Sequence, residues 1–318
     1  MRPLSSKKCL RNGPRACDVL ARQRGNLLPT PGVPVGTLVV VRVFDFNSAI
    51  VRSPGKSVVD GLRAGSGPAP VFESIVAEHE SYLAALRAAG VQVTVLEPLE
   101  QFPDSIFVED PALAFSDAAV LLRPGAPSRF AEAQELSATL AAQFPKVLPL
   151  REGHADGGDV LVTPDRVLIG LSSRTNEAGA AALQGLLESI GRASVVVGIP
   201  RGTLHLKSDC SLIDEETVFA TEELADSGIL AGFRILVVPR DERGAANALR
   251  VNDVVFVRAG CPRTLDLLSK HGLTVVPLQV SEIARIDAGL SCMSLRWFDP
   301  RSAWRTISVS DTSARCRC

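Results

Sequence analysis

The stretch DVLVTPDRVLIGL, residues 159–171, is the clearest copy of the pattern from which the fold can be read. Asp159 to Thr163 and Val167 to Leu171 read as two short strands, and Pro164-Asp165 supplies the turn between them. A helix follows, opened by Thr175-Asn176, with Leu183, Leu186, Leu187 and Ile190 spaced to share one face. Gly191 ends it, and Ala193 to Val197 form the next strand. The unit is strand, strand, helix, strand.

Outward from this copy the unit recurs at a period of roughly 35 to 60 residues. Upstream, Phe107 to Phe115 and Ala119 to Leu122 flank a Ser116-Asp117 turn. A helix is expected from about Ser128 to Phe144, with a strand from Val147 to Leu150. Further back, Ala49 to Arg52 precede a helix from about Ala69 to Ala89 with Phe72, Ile75, Val76, Leu83 and Leu86 inward. Gly90 and the strand Val91 to Leu96 close that copy. Downstream, Ser211-Leu212-Ile213 turns at Asp214-Glu215-Glu216 and closes on Arg234 to Val238. The last copy has Asn247 to Val251, an Asn252-Asp253 turn, Val254 to Val257, a helix from about Pro262 to His271, and Thr274 to Pro277. Gly289 to Leu295 then returns to complete the first unit. Such a period marks a propeller or an array of α/β class; arranged as a five-bladed α/β propeller of ββαβ repeats with pseudo-fivefold symmetry, the units would bring their strand ends to a central pit.

Composition sets the class. The 318 residues are 46% hydrophobic and can bury a large core, while a formal net charge of -1 argues against a nucleic-acid or polybasic membrane-surface protein. No apolar run reaches the roughly 20 residues of a membrane span. The seven cysteines, Cys9, Cys17, Cys210, Cys261, Cys292, Cys316 and Cys318, lack paired CxxC spacing, so neither a zinc site nor a disulfide framework is suggested. Residues 1–36 carry Arg2, Lys7, Lys8, Arg11, Arg15, Arg22 and Arg24 against one acid, Asp18. That segment reads as a disordered or mis-called N-terminal extension. An organelle transit peptide also fits the composition, although prolines interrupt any amphipathic helix. The expected organisation is a single catalytic domain over 37–298 and a polar tail over 299–318. A cytoplasmic location is expected, with mitochondrial targeting by the basic segment as the alternative.

Polar residues gather at the strand ends: Asp104, Glu109 and Asp110 in PDSIFVEDP, Asp156 and Asp159 in HADGGDVL, His205 in LHLKS, and Asp287 and Cys292 in IDAGLSC. A cysteine in an apolar run is ordinarily core packing. With a histidine and carboxylates beside it, it becomes a candidate nucleophile. Carboxylates can hold a cation, and a cation helps keep the cysteine as thiolate. Arg129 and Arg174 fall near helix starts and can grip a carboxylate with two prongs. An arginine-like amino acid fits such a set. Asp159 reads equally as a catalytic group or a buried structural acceptor. His79, His154 and His271 read as a core, a loop and a helix-end residue, and Cys210 and Cys261 as core.

The segments FVEDPALAF, LLRPGAPSR, DGGDVLVT, GLSSRTN and LHLKS, with IDAGLSC, resemble the dimethylarginine dimethylaminohydrolase family of the guanidine-modifying α/β-propeller (pentein) superfamily. The likeness runs in order from about Leu38 to Trp297. It implies hydrolysis of methylated arginine to citrulline plus methylamine or dimethylamine through a thiouronium on Cys292. It implies His205 as general acid and base, with Asp156 orienting it. Asp110 with Glu109 would hold the guanidinium nitrogens. Asp104 and the backbone of Leu62 would meet the α-amino group, Arg129 and Arg174 the α-carboxylate, and the Ile286 carbonyl would line the site. Leu62 would belong to a lid continued by residues 63–68. No cofactor and no metal are implied. The partner is a small-molecule substrate, with no nucleic acid and no membrane, and a homodimer is a candidate assembly.

Arginine deiminase is the nearest rival. That family carries an aspartate two positions after its histidine, where this chain has Lys207, which leaves room for methyl groups. An amidinotransferase of the same superfamily would use the same adduct but hand the amidine to an amine. A non-catalytic ligand-binding homologue would be expected to lack the nucleophile or the base, and Cys292, His205 and Asp156 are all present.

Overall fold

The computed structural model describes residues 27–28, 39–65 and 67–302. Most of the expected N-terminal extension, and the tail beyond 302, lie outside the described residues. Contacts divide the chain into two units, one of which is Arg42–Asp299. In the other, Leu27–Leu28 pairs antiparallel with Val39–Val40.

Arg42–Asp299 contains five three-stranded sheets built to one plan. In the sheet formed by the 159–171 stretch, Val160–Val162 and Val167–Leu171 make an antiparallel hairpin. Ser194–Gly198 then adds in parallel to Val167–Leu171 after the helical crossover. The helix Glu177–Glu188 starts where the sequence places it, because the Asn176 side chain accepts the Gly179 N–H at 2.8 Å. Its Ala180, Leu183 and Leu187 pack on Val160, Val167 and Ile169. Each large aliphatic side chain fully buried there contributes about 1.5–3 kcal/mol. Gly191, at φ 71°, takes the left-handed turn that ends the element.

The same order appears as Cys210–Leu212, Thr217–Ala220 and Arg234–Val237, and again as Leu249–Val251, Val254–Arg258 and Thr274–Leu278. The first sheet is assembled from distant parts. Leu295–Trp297 pairs antiparallel with Ser48–Arg52, which pairs in parallel with Gln92–Leu96. The helix Phe72–Ala88 crosses between those last two strands with Ile75, Tyr82, Leu83 and Leu86 buried. Tyr82, absent from the expected inner face, is fully buried and shares a 2.5 Å hydrogen bond with Ser294.

The sheet of Ala112–Ala114, Ala119–Leu121 and Val147–Pro149 departs from expectation in its crossover. In place of one helix over 128–144 there are 3-10 turns at Pro127–Arg129 and Glu132–Leu136, then a short helix, Ser137–Gln143. The cause is Arg129, whose guanidinium turns inward to buried Glu132 three residues on, and tight turns bring those two side chains together. No helix of the described residues is long and apolar enough to cross a membrane.

Candidate active site

The DGGD segment, residues 156–159, connects the site's parts. Its two glycines are dictated by packing. A Cβ at Gly157 would stand 1.9 Å from the Glu109 carbonyl oxygen, and one at Gly158 would stand 2.8 Å from the His205 ring and 3.0 Å from Asp110 Oδ1. Backbone therefore lies where side chains would otherwise separate the carboxylates from the histidine. Asp110 Oδ1 accepts the Gly158 N–H at 3.1 Å, and its carbonyl accepts the Gly157 N–H at 2.9 Å.

His205 Nε2 lies 2.9 Å from Asp156 Oδ2, and both groups are buried. The other Asp156 oxygen accepts the Gly125 N–H at 2.7 Å, while its own N–H donates to Thr175 Oγ1 at 3.1 Å. Asp110, Asp156 and His205 bring their polar atoms within 4.8 Å of one another. Each is already bonded to Arg129, Gly125, Gly158 or a member of the trio. The two carboxylates keep lone pairs that can accept from a planar cation. Burial works against an imidazolium here, but the charge of Asp110, the hydrogen bond to Asp156 and the charge of Asp159 outweigh it. His205 is lifted to about 9 and is protonated at neutral pH.

Cys292 arrives on the segment before Leu295–Trp297, and its carbonyl accepts the Glu109 N–H at 3.1 Å. Burial first, then the charges of Glu109 and Asp110, push its thiol up to about 12, against the Gly289 N–H and Lys207. Asp104, raised by burial, accepts the Leu62 N–H at 2.9 Å. Gly61 lies between Asp104 and Ile286, with its Cβ position 3.3 Å from the Asp104 carboxylate and 3.5 Å from Ile286 Cγ2. Those three expected site residues are thus gathered beside one turn. Asp287, left-handed at φ 55°, accepts the Ala64 N–H and ties down the loop after Leu62.

Three expectations are refined. Asp159 is a structural acceptor: it takes the Ser172 and Thr175 hydroxyls at 2.6 and 2.7 Å and the Leu206 N–H at 2.9 Å. Glu109 is expected to hold guanidinium nitrogens with Asp110, but its oxygens are committed to Lys207, Arg296 and Ser291 at 2.7, 2.9 and 2.8 Å. Arg129 is expected to present two prongs to a carboxylate. Instead its Nε and NH2 grip Glu132 at 2.7 and 2.5 Å, and NH1 meets Asp110 at 2.5 Å. Among the described residues one NH1 hydrogen is left over. Arg174, partly exposed and 3.9 Å from Asp156, keeps the freer guanidinium.

The histidines outside the site behave as read. His79 is buried, His154 stacks on Phe130 at 5.0 Å, and His271 lies 3.2 Å from Asp214. Reading the sequence missed Glu132, Asn247 and Arg296. Only Glu132 left a signal, an acid three residues after an arginine. Asn247 takes the Ser291 N–H at 2.9 Å and donates to the Lys207 carbonyl at 2.8 Å, linking the histidine turn to the cysteine loop.

A family model described as "N,N dimethylarginine dimethylhydrolase, eukaryotic" matches residues 69–196. A dimethylarginine dimethylaminohydrolase of Pseudomonas aeruginosa is 36% identical over 254 residues, covering 79% of this chain and all of the relative. One from Streptomyces coelicolor is 33% identical over 78% of this chain and 96% of its own. The Pseudomonas enzyme, solved as a cysteine-to-serine mutant with citrulline, superposes with a TM-score of 0.77 over 80% of this chain and all of that one. A second structure of the dimethylarginine dimethylaminohydrolase, an adduct with S-methyl-L-thiocitrulline, also gives 0.77. The N-terminal domain of ArgZ, an arginine dihydrolase, is 17% identical with a TM-score of 0.71 and shares the fold. Sequence and structure agree over the whole length of the same relative, and the chain belongs to the dimethylarginine dimethylaminohydrolase family of the pentein superfamily.

Proposed function

We propose that this chain hydrolyses dimethylarginine and monomethylarginine to citrulline, releasing dimethylamine or methylamine through a covalent thiouronium on Cys292. The observation that carries the reading is the buried His205–Asp156 pair beside Asp110, on backbone shared with the Cys292 loop, in a chain of this family.

A guanidinium seated on Asp110 offsets part of the negative charge that keeps the Cys292 thiol neutral, which favours the thiolate. The sulfur attacks the guanidinium carbon, which the carboxylate holds in place. Protonated His205 gives its proton to the departing amine, leaving the thiouronium. Neutral imidazole then takes one proton from water as its oxygen adds to the same carbon; the C–S bond breaks, the second proton passes from the hydroxyl to the departing sulfur, and citrulline is left behind. Asp156 keeps the imidazole aligned. Asp104 and the Leu62 backbone meet the α-amino group, and the Ile286 carbonyl lines the wall. Arg174, with the one remaining NH1 hydrogen of Arg129, meets the α-carboxylate. No step draws on a cofactor.

The five sheets are, in this reading, blades of a propeller about a pseudo-fivefold axis, and their repeated strand order supports it. The catalytic domain spans 37–298. A homodimer and a cytoplasmic location complete the proposal. The free thiols of Cys210, Cys261 and Cys292 agree with a reducing compartment. Sedimentation velocity and cell fractionation test those two points.

The test of function is citrulline release from dimethylarginine, monomethylarginine and arginine side by side. The methylated substrates are expected to turn over faster. Cys292→Ser is expected to lose at least about 10³-fold in kcat while retaining binding. Faster turnover of arginine would move the chain to the deiminases, and no turnover of any would make it a ligand-binding homologue.

A further inference from the structure

Beneath the nucleophile four residues close a ring. Lys207 Nζ lies 2.7 Å from Glu109 Oε1, and Ser291 Oγ donates to Glu109 Oε2 at 2.8 Å. Asn247 Nδ2 donates to Ser291 Oγ at 3.1 Å and to the Lys207 carbonyl at 2.8 Å. Two further bonds fasten the ring to the cysteine loop: the Ser291 N–H reaches Asn247 Oδ1 at 2.9 Å, and the Glu109 N–H reaches the Cys292 carbonyl at 3.1 Å. Side-chain exposure is 14% at Lys207 and 5% at Glu109, so this ion pair lies within the protein. Removing one partner of a buried pair strands the other's charge, which is far costlier than losing a surface pair.

The ring raises a conflict. Glu109 braces the loop that carries Cys292, yet its negative charge opposes a thiolate next door. We propose that Lys207 is a positioning residue for the nucleophile: its ammonium neutralises Glu109 inside the ring, so that the carboxylate can brace the loop without repelling the thiolate. The groups bearing on the sulfur are Glu109 and Asp110 from one side and Lys207 from the histidine turn, with His205 on the same turn. Arg296 lies behind Glu109, and the Gly289 N–H comes from the loop itself. Of the side chains that act on the thiol, Lys207 favours its ionised form while Glu109 and Asp110 oppose it. Arg296 NH2 also meets Glu109 Oε1 at 2.9 Å, while its NH1 donates to the Ser291 and Ser294 carbonyls at 2.9 and 2.6 Å.

The inference rests on the reading of Cys292 as nucleophile, so the test reads the thiol rather than turnover. Iodoacetamide alkylates thiolates, and mass spectrometry of the Cys292 peptide follows its rate from roughly pH 6 to pH 10 in the full chain. Lys207→Met is expected to slow alkylation about tenfold near pH 8, the equivalent of about one pH unit. Lys207→Arg should stay within about threefold of the parent. The double variant Lys207→Met with Glu109→Gln should return to the parent rate or exceed it, because Arg296 remains. A purely structural lysine would leave the pH profile in place. Should Lys207→Met not fold, Lys207→Gln, which hydrogen-bonds without charge, carries the same expectation. Alkylation of the single variant at the parent rate, or a double variant as slow as the single, overturns the proposal.

Discussion

Single atoms decide whether the site exists. Gly158 has no side chain because His205 and Asp110 occupy the space, and its N–H is spent on Asp110. Gly158→Ala would push the imidazole off Asp156 or the carboxylate off Arg129. A displacement of this size near reacting groups costs about 10²-fold. The expectation is a loss of that order in kcat/KM with thermal melting shifted by a few degrees at most, and steady-state kinetics beside a melting curve checks it. Unchanged kinetics would mean that the glycine is not needed for the geometry. At this scale the sequence is informative where motifs coincide with contacts: Asp110, Asp156 and His205, read from three separate motifs, bring polar atoms within 4.8 Å of one another, and Asp104 accepts the Leu62 N–H. The sequence is blind to how each charge is spent. Glu109 and Arg129 match the family pattern by position, yet their partners Lys207, Arg296 and Glu132 come from contacts that no local spacing reveals, save the short step from Arg129 to Glu132.

The elements are legible in proportion to the strength of their local signals. Asn176 caps its helix and Gly191 ends it, so Glu177–Glu188 falls where periodicity alone puts it. The 127–143 crossover reads as one helix in the sequence because its apolar spacing hides the inward turn of Arg129. The helix Phe72–Ala88 carries a testable oddity in His79, which is buried with its Nε2 unpartnered among the described residues and is held down to about 4 by burial. Its ordinary value is 6.5, so above that pH neither the folded nor the unfolded chain binds a proton there. As pH falls below it, the unfolded chain takes up a proton that the folded chain refuses until about 4. Stability drains across that window by up to about 3 kcal/mol. His79→Leu removes both the orphan nitrogen and the titration. It is expected to gain about 1 kcal/mol at pH 7 and more at pH 5, read by urea unfolding at both. A variant less stable than its parent at pH 5 would sink the idea.

Over the whole molecule the main structural fact is that the first sheet joins widely separated segments, Leu295–Trp297 against Ser48–Arg52. Trp297 is 3% exposed, packs on Phe144 at 4.8 Å, and shares a core with Ile50, Val108 and Leu140. Trp297→Ala is expected to cost about 3–5 kcal/mol while the unfolding of Arg42–Asp299 stays a single transition, followed by denaturant titration with circular dichroism. Two separated transitions would show that the closing strand is not part of the common core. The repeat is legible here because each unit restates the same local pattern. The closure is foreseen only as the remainder that the first unit lacks. That joint also imposes an order in time. A ribosome makes Ser48–Arg52 more than 240 residues before Leu295–Trp297, so one edge of that strand waits for its partner, and Cys292 lies on the approach to the strand that fills it. Cys292, the nucleophile proposed above, therefore enters the fold three residues ahead of the strand that completes the first sheet.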